Sequence, residues 1–227
     1  MKKTDILKFK PLEITPLIPI EVEPLSPAPK IFEQGDGPEP TQEQIQKFSK
    51  NYKQITAPLV KRQLRQHKKD TMHGAYSVNE QVSEDYKRPT KDIDVWSNSP
   101  KKRAIQIENQ LDKKAGCDIA HVEEKHIGTD SNRLMGIGPP SEQKEPEHKR
   151  YLVVTKPKDD LDVDYTTYPN RVYHRRLFQG FYHESLQSAH DRAKELARTQ
   201  PIRSFKASED VERIEKYWES KKKKVKK

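Results

Sequence analysis

A chain of 227 residues has room for one ordinary domain with generous tails, and a composition of 31% hydrophobic and 35% charged residues with 17 prolines excludes packing all of it into a core. The formal net charge of +9, from 44 Lys and Arg against 35 Asp and Glu, favours a polyanionic partner such as RNA or DNA. One cysteine, Cys117, excludes an internal disulfide and a four-cysteine zinc site, as suits a reducing compartment.

No apolar segment of the secretory kind follows the lysines of Met1–Lys10, and no run approaches the roughly 20 apolar residues of a membrane span. The sequence therefore predicts a cytoplasmic or other intracellular protein with no membrane partner. Residues 11–40 are dense in proline, which forbids helix and favours extended, polyproline-like backbone. Residues 1–40 read as a disordered arm, although Leu17, Ile18, Ile20, Val22 and Leu25 would let it lie in the groove of a protein partner.

A helical extension is predicted over 41–70. Thr41 with Gln44 three positions on is a capping-box start, and Ile45, Phe48, Tyr52 and Ile55 give the following run one apolar face. Pro58 is expected to break or kink it. The segment after Pro58 carries Lys61, Arg62, Arg65, Lys68 and Lys69, a pattern that suits a solvated helical face and a nucleic-acid-binding face equally.

The core is predicted over 71–183. Lys91–Trp96 alternates polar and apolar residues as a half-buried strand does, and Pro100–Ala115 has helical spacing with Gly116 as its C-cap. Further strands are predicted at Asp118–Glu124, Tyr151–Thr155, Leu161–Thr166 and Arg171–Leu177, with a long loop between His126 and Lys149. Helices over Ser185–Thr199 and Ser208–Glu219 make a C-terminal unit at 184–220, and 221–227 is a basic tail. Together these elements predict an α/β or α+β fold, a mixed sheet with flanking helices.

Carboxylates separated by one residue on a strand point to the same side, so Asp92 and Asp94 can converge on a divalent ion while Ile93 and Val95 face the core. Magnesium bridging such carboxylates to phosphates is what phosphoryl and nucleotidyl transfer require. A rival acidic alternation stands at Asp160–Tyr165, where strand spacing puts Asp162 and Asp164 on one face. Only the first motif has a glycine turn, His73-Gly74-Ala75, and the run Arg88-Pro89-Thr90-Lys91 ahead of it.

The order Gly74-Ala75, a short helix, Arg88-Pro89-Thr90, then Asp92-Ile93-Asp94-Val95 resembles the signature of the DNA polymerase beta-like nucleotidyltransferase superfamily, particularly its small bacterial, archaeal and viral members. The resemblance spans roughly Met72 to Tyr217 and leaves a virus-encoded origin open. It implies a nucleoside triphosphate substrate, Mg2+ or Mn2+ held by Asp92 and Asp94, and a third carboxylate on a later strand. Asp164 is the choice for that third metal-binding and catalytic residue, with Asp118 and Glu123 as rivals. It further implies that Gly74, Ala75, Arg88 and Thr90 serve the nucleotide. The run Arg203–Val211 resembles the closing helix segment of these enzymes, where Lys206 or Arg203 would reach a phosphate or form an ion pair with Asp210. The function implied is transfer of a nucleoside monophosphate to a hydroxyl of RNA, a tRNA end, a protein or a small molecule. The alternative is a noncatalytic protein of the same fold that binds nucleic acid or packs into a larger assembly.

Overall fold

A computed structural model describes residues 30–32, 37–127, 148–156, 163–169 and 173–225. Most of the proline-rich arm, the segment 128–147, Asp162 and the last two lysines lie outside the described residues. Within the segment read as an arm, Lys30–Phe32 forms a strand (β1) antiparallel to Ala120–Ile127 (β4).

The helix signalled by Thr41 forms as Gln42–Gln66 (α1), and both halves of the capping box are present: Gln44 N donates to Thr41 Oγ1 (3.3 Å) and Thr41 N to Gln44 Oε1 (2.9 Å). The break expected at Pro58 does not occur, and the helix runs through it. Proline removes one backbone bond, whereas the buried residues on either side, Phe48, Tyr52, Leu59, Val60 and Leu64, hold one continuous stripe against the sheet.

The sheet has eight strands in the order β1-β4-β5-β6-β3-β2-β8-β7. The remaining strands are Thr71–His73 (β2), Ile93–Trp96 (β3), His148–Thr155 (β5), Val163–Thr166 (β6), Arg175–Phe178 (β7) and Phe181–Glu184 (β8). Parallel pairings of β3 with β6 and of β2 with β8 among antiparallel ones make it mixed. Two of these strands, β2 and β8, were not anticipated, and β7 lies toward the end of the predicted Arg171–Leu177 strand. The tight turn between β7 and β8 is made by Gln179 and Gly180, both at positive φ (52° and 86°), which suits the twist of a hairpin.

Helices Gly74–Gln81 (α2), Pro100–Ala115 (α3), Leu186–Thr199 (α4) and Pro201–Val225 (α5) complete the fold. The last begins at Pro201 rather than Ser208 and runs into the basic tail; proline at a first helical position loses nothing, because that N–H has no intrahelical partner. On one sheet face Val95, Val153, Val163 and Tyr165 share a core with Leu59 and Leu64 of α1 and Ala104, Ile107 and Leu111 of α3. On the other, α4 and α5 pair, and with Val78 and Val82 from the α2 region they enclose a smaller core around Leu186, Ala189 and Ile214. Among the described residues no helix is long and apolar enough to cross a membrane.

Candidate active site

Parallel pairing of β3 with β6 sets Asp94 directly beside Asp164, so both carboxylates rise from the same face. Asp92 stands two residues before Asp94, exposed at the mouth of β3, and its backbone N donates to Thr90 Oγ1 at 3.4 Å. On the other side of β3, His73 of β2 is the register partner of Asp94. The chain then turns into α2 through Gly74, whose φ is +70°. A Cβ there would lie 2.1 Å from Asp94 Oδ2, so the carboxylate occupies the space a side chain would need.

These groups line a cavity of about 650 Å³ between the sheet and the α4–α5 pair. Facing Asp92, Asp94 and Asp164 are three cations, Arg150 of β5, Arg192 of α4 and Lys206 of α5. Arg150 Nε lies 2.5 Å from Asp164 Oδ2. Arg192 is oriented by a bidentate pair with the fully buried Glu184, both bonds 2.9 Å. His73 stacks on Trp96 with centroids 4.1 Å apart, and both line the cavity.

Burial pushes the Asp94 carboxyl up to about 7, with the like charges of Asp164 and then Asp92 adding to it and Arg192 and Arg150 opposing. Burial likewise holds the His73 imidazole well below its ordinary value, helped by Arg192 and Arg150, so it stands neutral in the cavity. Among the described residues no group of three or more His, Cys, Asp or Glu is arranged to hold a metal ion by itself. An all-oxygen pair suits magnesium nonetheless, since that ion keeps several waters and usually takes one or two carboxylates together with substrate phosphates.

The residues singled out from sequence fall into two groups. Asp92, Asp94, Asp164 and Lys206 line the cavity, and Gly74 packs against Asp94 with Ala75 beside it in the first turn of α2. Arg88 instead forms a bidentate pair with Asp210 of α5, at 2.7 and 3.1 Å. Asp210 also accepts from Arg213 (2.8 Å), which donates to Asn79 (2.6 Å), so Asp210 is paired with two arginines and Lys206 extends into the cavity beside it. Thr90 fixes the backbone of Asp92. Of the rival acids, Asp118 pairs with Lys156 (3.5 Å) and Glu123 with His121 (3.3 Å), and neither lines the cavity.

The basic run of α1 is largely engaged within the protein. Lys61 pairs with Glu80 (2.9 Å), Arg62 donates to Gln110 (2.8 Å), and Arg65 donates to the Gln179 carbonyl (3.3 Å) over the Phe181 ring, while Lys68 and Lys69 are exposed. Sequence reasoning missed His73, Arg150 and Arg192. Arg150 precedes the apolar run of β5 and Arg192 sits in an ordinary amphipathic helix, so no local signal marks either one.

No protein-family model matches the sequence, and no curated protein matches it. Among solved structures, the crystal structure of the Megavirus polyadenylate synthase is similar to the chain, with a TM-score of 0.51 at 16% sequence identity. The match covers 78% of this chain and 34% of that one. At this identity the likeness speaks for the architecture alone, a mixed sheet with flanking helices.

Proposed function

We propose that the chain is a metal-dependent nucleotidyltransferase that moves a nucleoside monophosphate from a nucleoside triphosphate to a hydroxyl acceptor and releases pyrophosphate. The observation that carries this reading is the register of Asp94 with Asp164 on adjacent parallel strands, with Asp92 two residues away and three cations facing them across one cavity. Asp92 and Asp94, with Asp164 beside them, would hold magnesium or manganese, which would neutralise phosphate charge and activate the transferred phosphorus.

The chain's own residues do the rest. Lys206 and Arg192 bind the triphosphate oxygens, and Arg192 keeps its direction because Glu184 holds two of its N–H groups. Gly74 leaves the space at the start of α2 to the Asp94 carboxylate, at a helix end whose dipole favours negative charge. Asp164 accepts the proton of the attacking hydroxyl, and Arg150 orients it. Arg88 acts through Asp210, holding α5 so that Lys206 stays at the cavity.

A noncatalytic reading is favoured by one observation, the Arg150–Asp164 pair at 2.5 Å, which occupies a carboxylate oxygen that a metal or a proton would need. Calorimetric titration with nucleoside triphosphates, with and without magnesium, separates the two readings. The name of the structural neighbour makes adenosine triphosphate and RNA the first pair to try. Magnesium-dependent binding and transfer of label from the triphosphate, both lost in Asp92→Asn/Asp94→Asn, are expected. Equal activity in the wild type and that double variant would overturn the enzymatic reading.

A further inference from the structure

A second cleft, of about 610 Å³, opens on the α3 side of the sheet. Its walls are the first turns of α3, with Pro100, Lys101, Lys102 and Ile105, and the outer end of β5, with Lys149 and Tyr151. Strand alternation explains why β5 serves two sites: Arg150 points into the carboxylate cavity, while Lys149 and Tyr151 line the other side. Thr167, immediately after β6, lines both cavities, so each reaches the end of the strand that carries Asp164.

We propose that this cleft is the subsite for the acceptor of the proposed reaction, and that the acceptor is a single-stranded nucleic acid whose end passes Thr167 to reach Asp164; this rests on the nucleotidyltransferase reading above. The chemistry is that of a strand's backbone and bases. Three lysines rim the cleft: Lys101 and Lys102 are exposed, and Lys149 lies 3.5 Å from Glu124 with much of its side chain still in solvent. Between them Tyr151, Ile105 and Pro100 offer an apolar floor to a base or sugar without reading its sequence. A small acceptor would not need the lysines at the rim. On the rival basic surface, α1, Lys61 is paired with Glu80 while Arg62 and Arg65 bond to Gln110 and the Gln179 carbonyl, and none of the three lines either cavity.

The test uses the full chain and fluorescent oligonucleotides of one sequence, as RNA and as DNA, titrated at several salt concentrations against wild type and Lys101→Ala/Lys102→Ala. Each phosphate neutralised on a single strand contributes about 0.7 to the log-log salt slope, so losing two lysines should lower it by roughly 1.4 and weaken binding about tenfold or more at low salt. Triphosphate binding should be unchanged, because neither lysine lines the carboxylate cavity. A Lys101→Glu/Lys102→Glu variant should weaken the oligonucleotide further at an unchanged melting temperature. Unaltered affinity and slope in both variants would overturn the cleft while leaving triphosphate binding, and the nucleotidyltransferase reading, intact. Failure of the wild type to bind triphosphate with magnesium would overturn that reading itself. Tighter binding of RNA than DNA would assign the acceptor to RNA, and the reverse to DNA.

Discussion

The carboxylate of Asp94 occupies the space where a side chain at Gly74 would sit, at 2.1 Å from the position of the missing Cβ. The relationship joins a turn to a charge. Gly74 also has φ of +70°, so its lack of a side chain serves both the backbone and the site.

Gly74→Ala should therefore cost more in function than in fold. The left-handed backbone costs about 1–2 kcal/mol for a residue with a Cβ, and the methyl group must also drive the Asp94 carboxylate out of register with Asp164. Magnesium-dependent triphosphate binding should fall by at least tenfold while the protein remains folded. Undiminished binding in this variant would show that Asp94 does not hold the metal from that position.

Removing one carboxylate should separate stability from chemistry. The Asp94 carboxyl is pushed up to about 7, so ionising it in the folded protein is unfavourable and the stability it leaves at low pH is lost as pH rises from the ordinary aspartate range toward 7. Asp94→Asn should match or exceed the wild type in thermal stability at pH 8 without metal, yet transfer nucleotide roughly 10²–10³-fold more slowly. A markedly lower melting temperature would show that its charge supports the fold.

Arg88 and Asp210 should behave as one unit. Arg88→Ala and Asp210→Asn each break a bidentate, half-buried pair that ties the segment before β3 to α5, at a cost of roughly 2 kcal/mol each. In a double-mutant cycle the combined loss should be well short of additive. Both variants should weaken triphosphate binding to a similar, modest degree, because α5 carries Lys206. A much larger effect from Arg88→Ala than from Asp210→Asn would mean that Arg88 touches the triphosphate itself.

Glu108 gives a pH signature away from the cavity. It is fully buried on α3, and burial, then the charges of Asp112 and Asp118, push its carboxyl up to about 7 from an ordinary 4.5. The folded state therefore binds a proton that the unfolded state has released between those values, so stability falls as pH rises through that window and levels off above it. Glu108→Gln should be more stable than the wild type at pH 8 by at most about 3 kcal/mol, with the difference vanishing below pH 4.5. Denaturant melts at pH 4 and pH 8 check this, and an equal difference at both would rule out the carboxyl as its source.

Local chemistry made much of the fold legible. Thr41 and Gln44 cap a helix through bonds three residues apart, and Gly116 ends α3 in the left-handed conformation at φ 70°. The alternation of Ile93, Asp94 and Val95 declares a strand with Asp94 on one face and its apolar neighbours on the other. Each of these depends on neighbours along the chain, so a sequence displays it directly. Pro58 was misread for the complementary reason: the rule that proline breaks helices is local, and burial of Tyr52, Leu59 and Leu64 against the sheet overrides it. The three- and four-residue strands β2 and β8 are too short to carry a period, and only their pairing defines them.

Spacing along the chain puts Asp92 and Asp94 on one side, with glycine ahead of them, without any help from packing. Packing, in contrast, makes Asp164 the register partner of Asp94, turns Arg150 and Arg192 toward them, and gives Arg88 to Asp210. Strand order and helix packing set those distances, and the partners are separated by tens of residues with no periodic signal between them. The charges on α1 follow the same rule: the fold brings Glu80 to Lys61, and Gln110 and the Gln179 carbonyl to the exposed Arg62 and Arg65. A cation's partner is chosen by whatever the sheet and helices carry to it, and that choice is written in three dimensions.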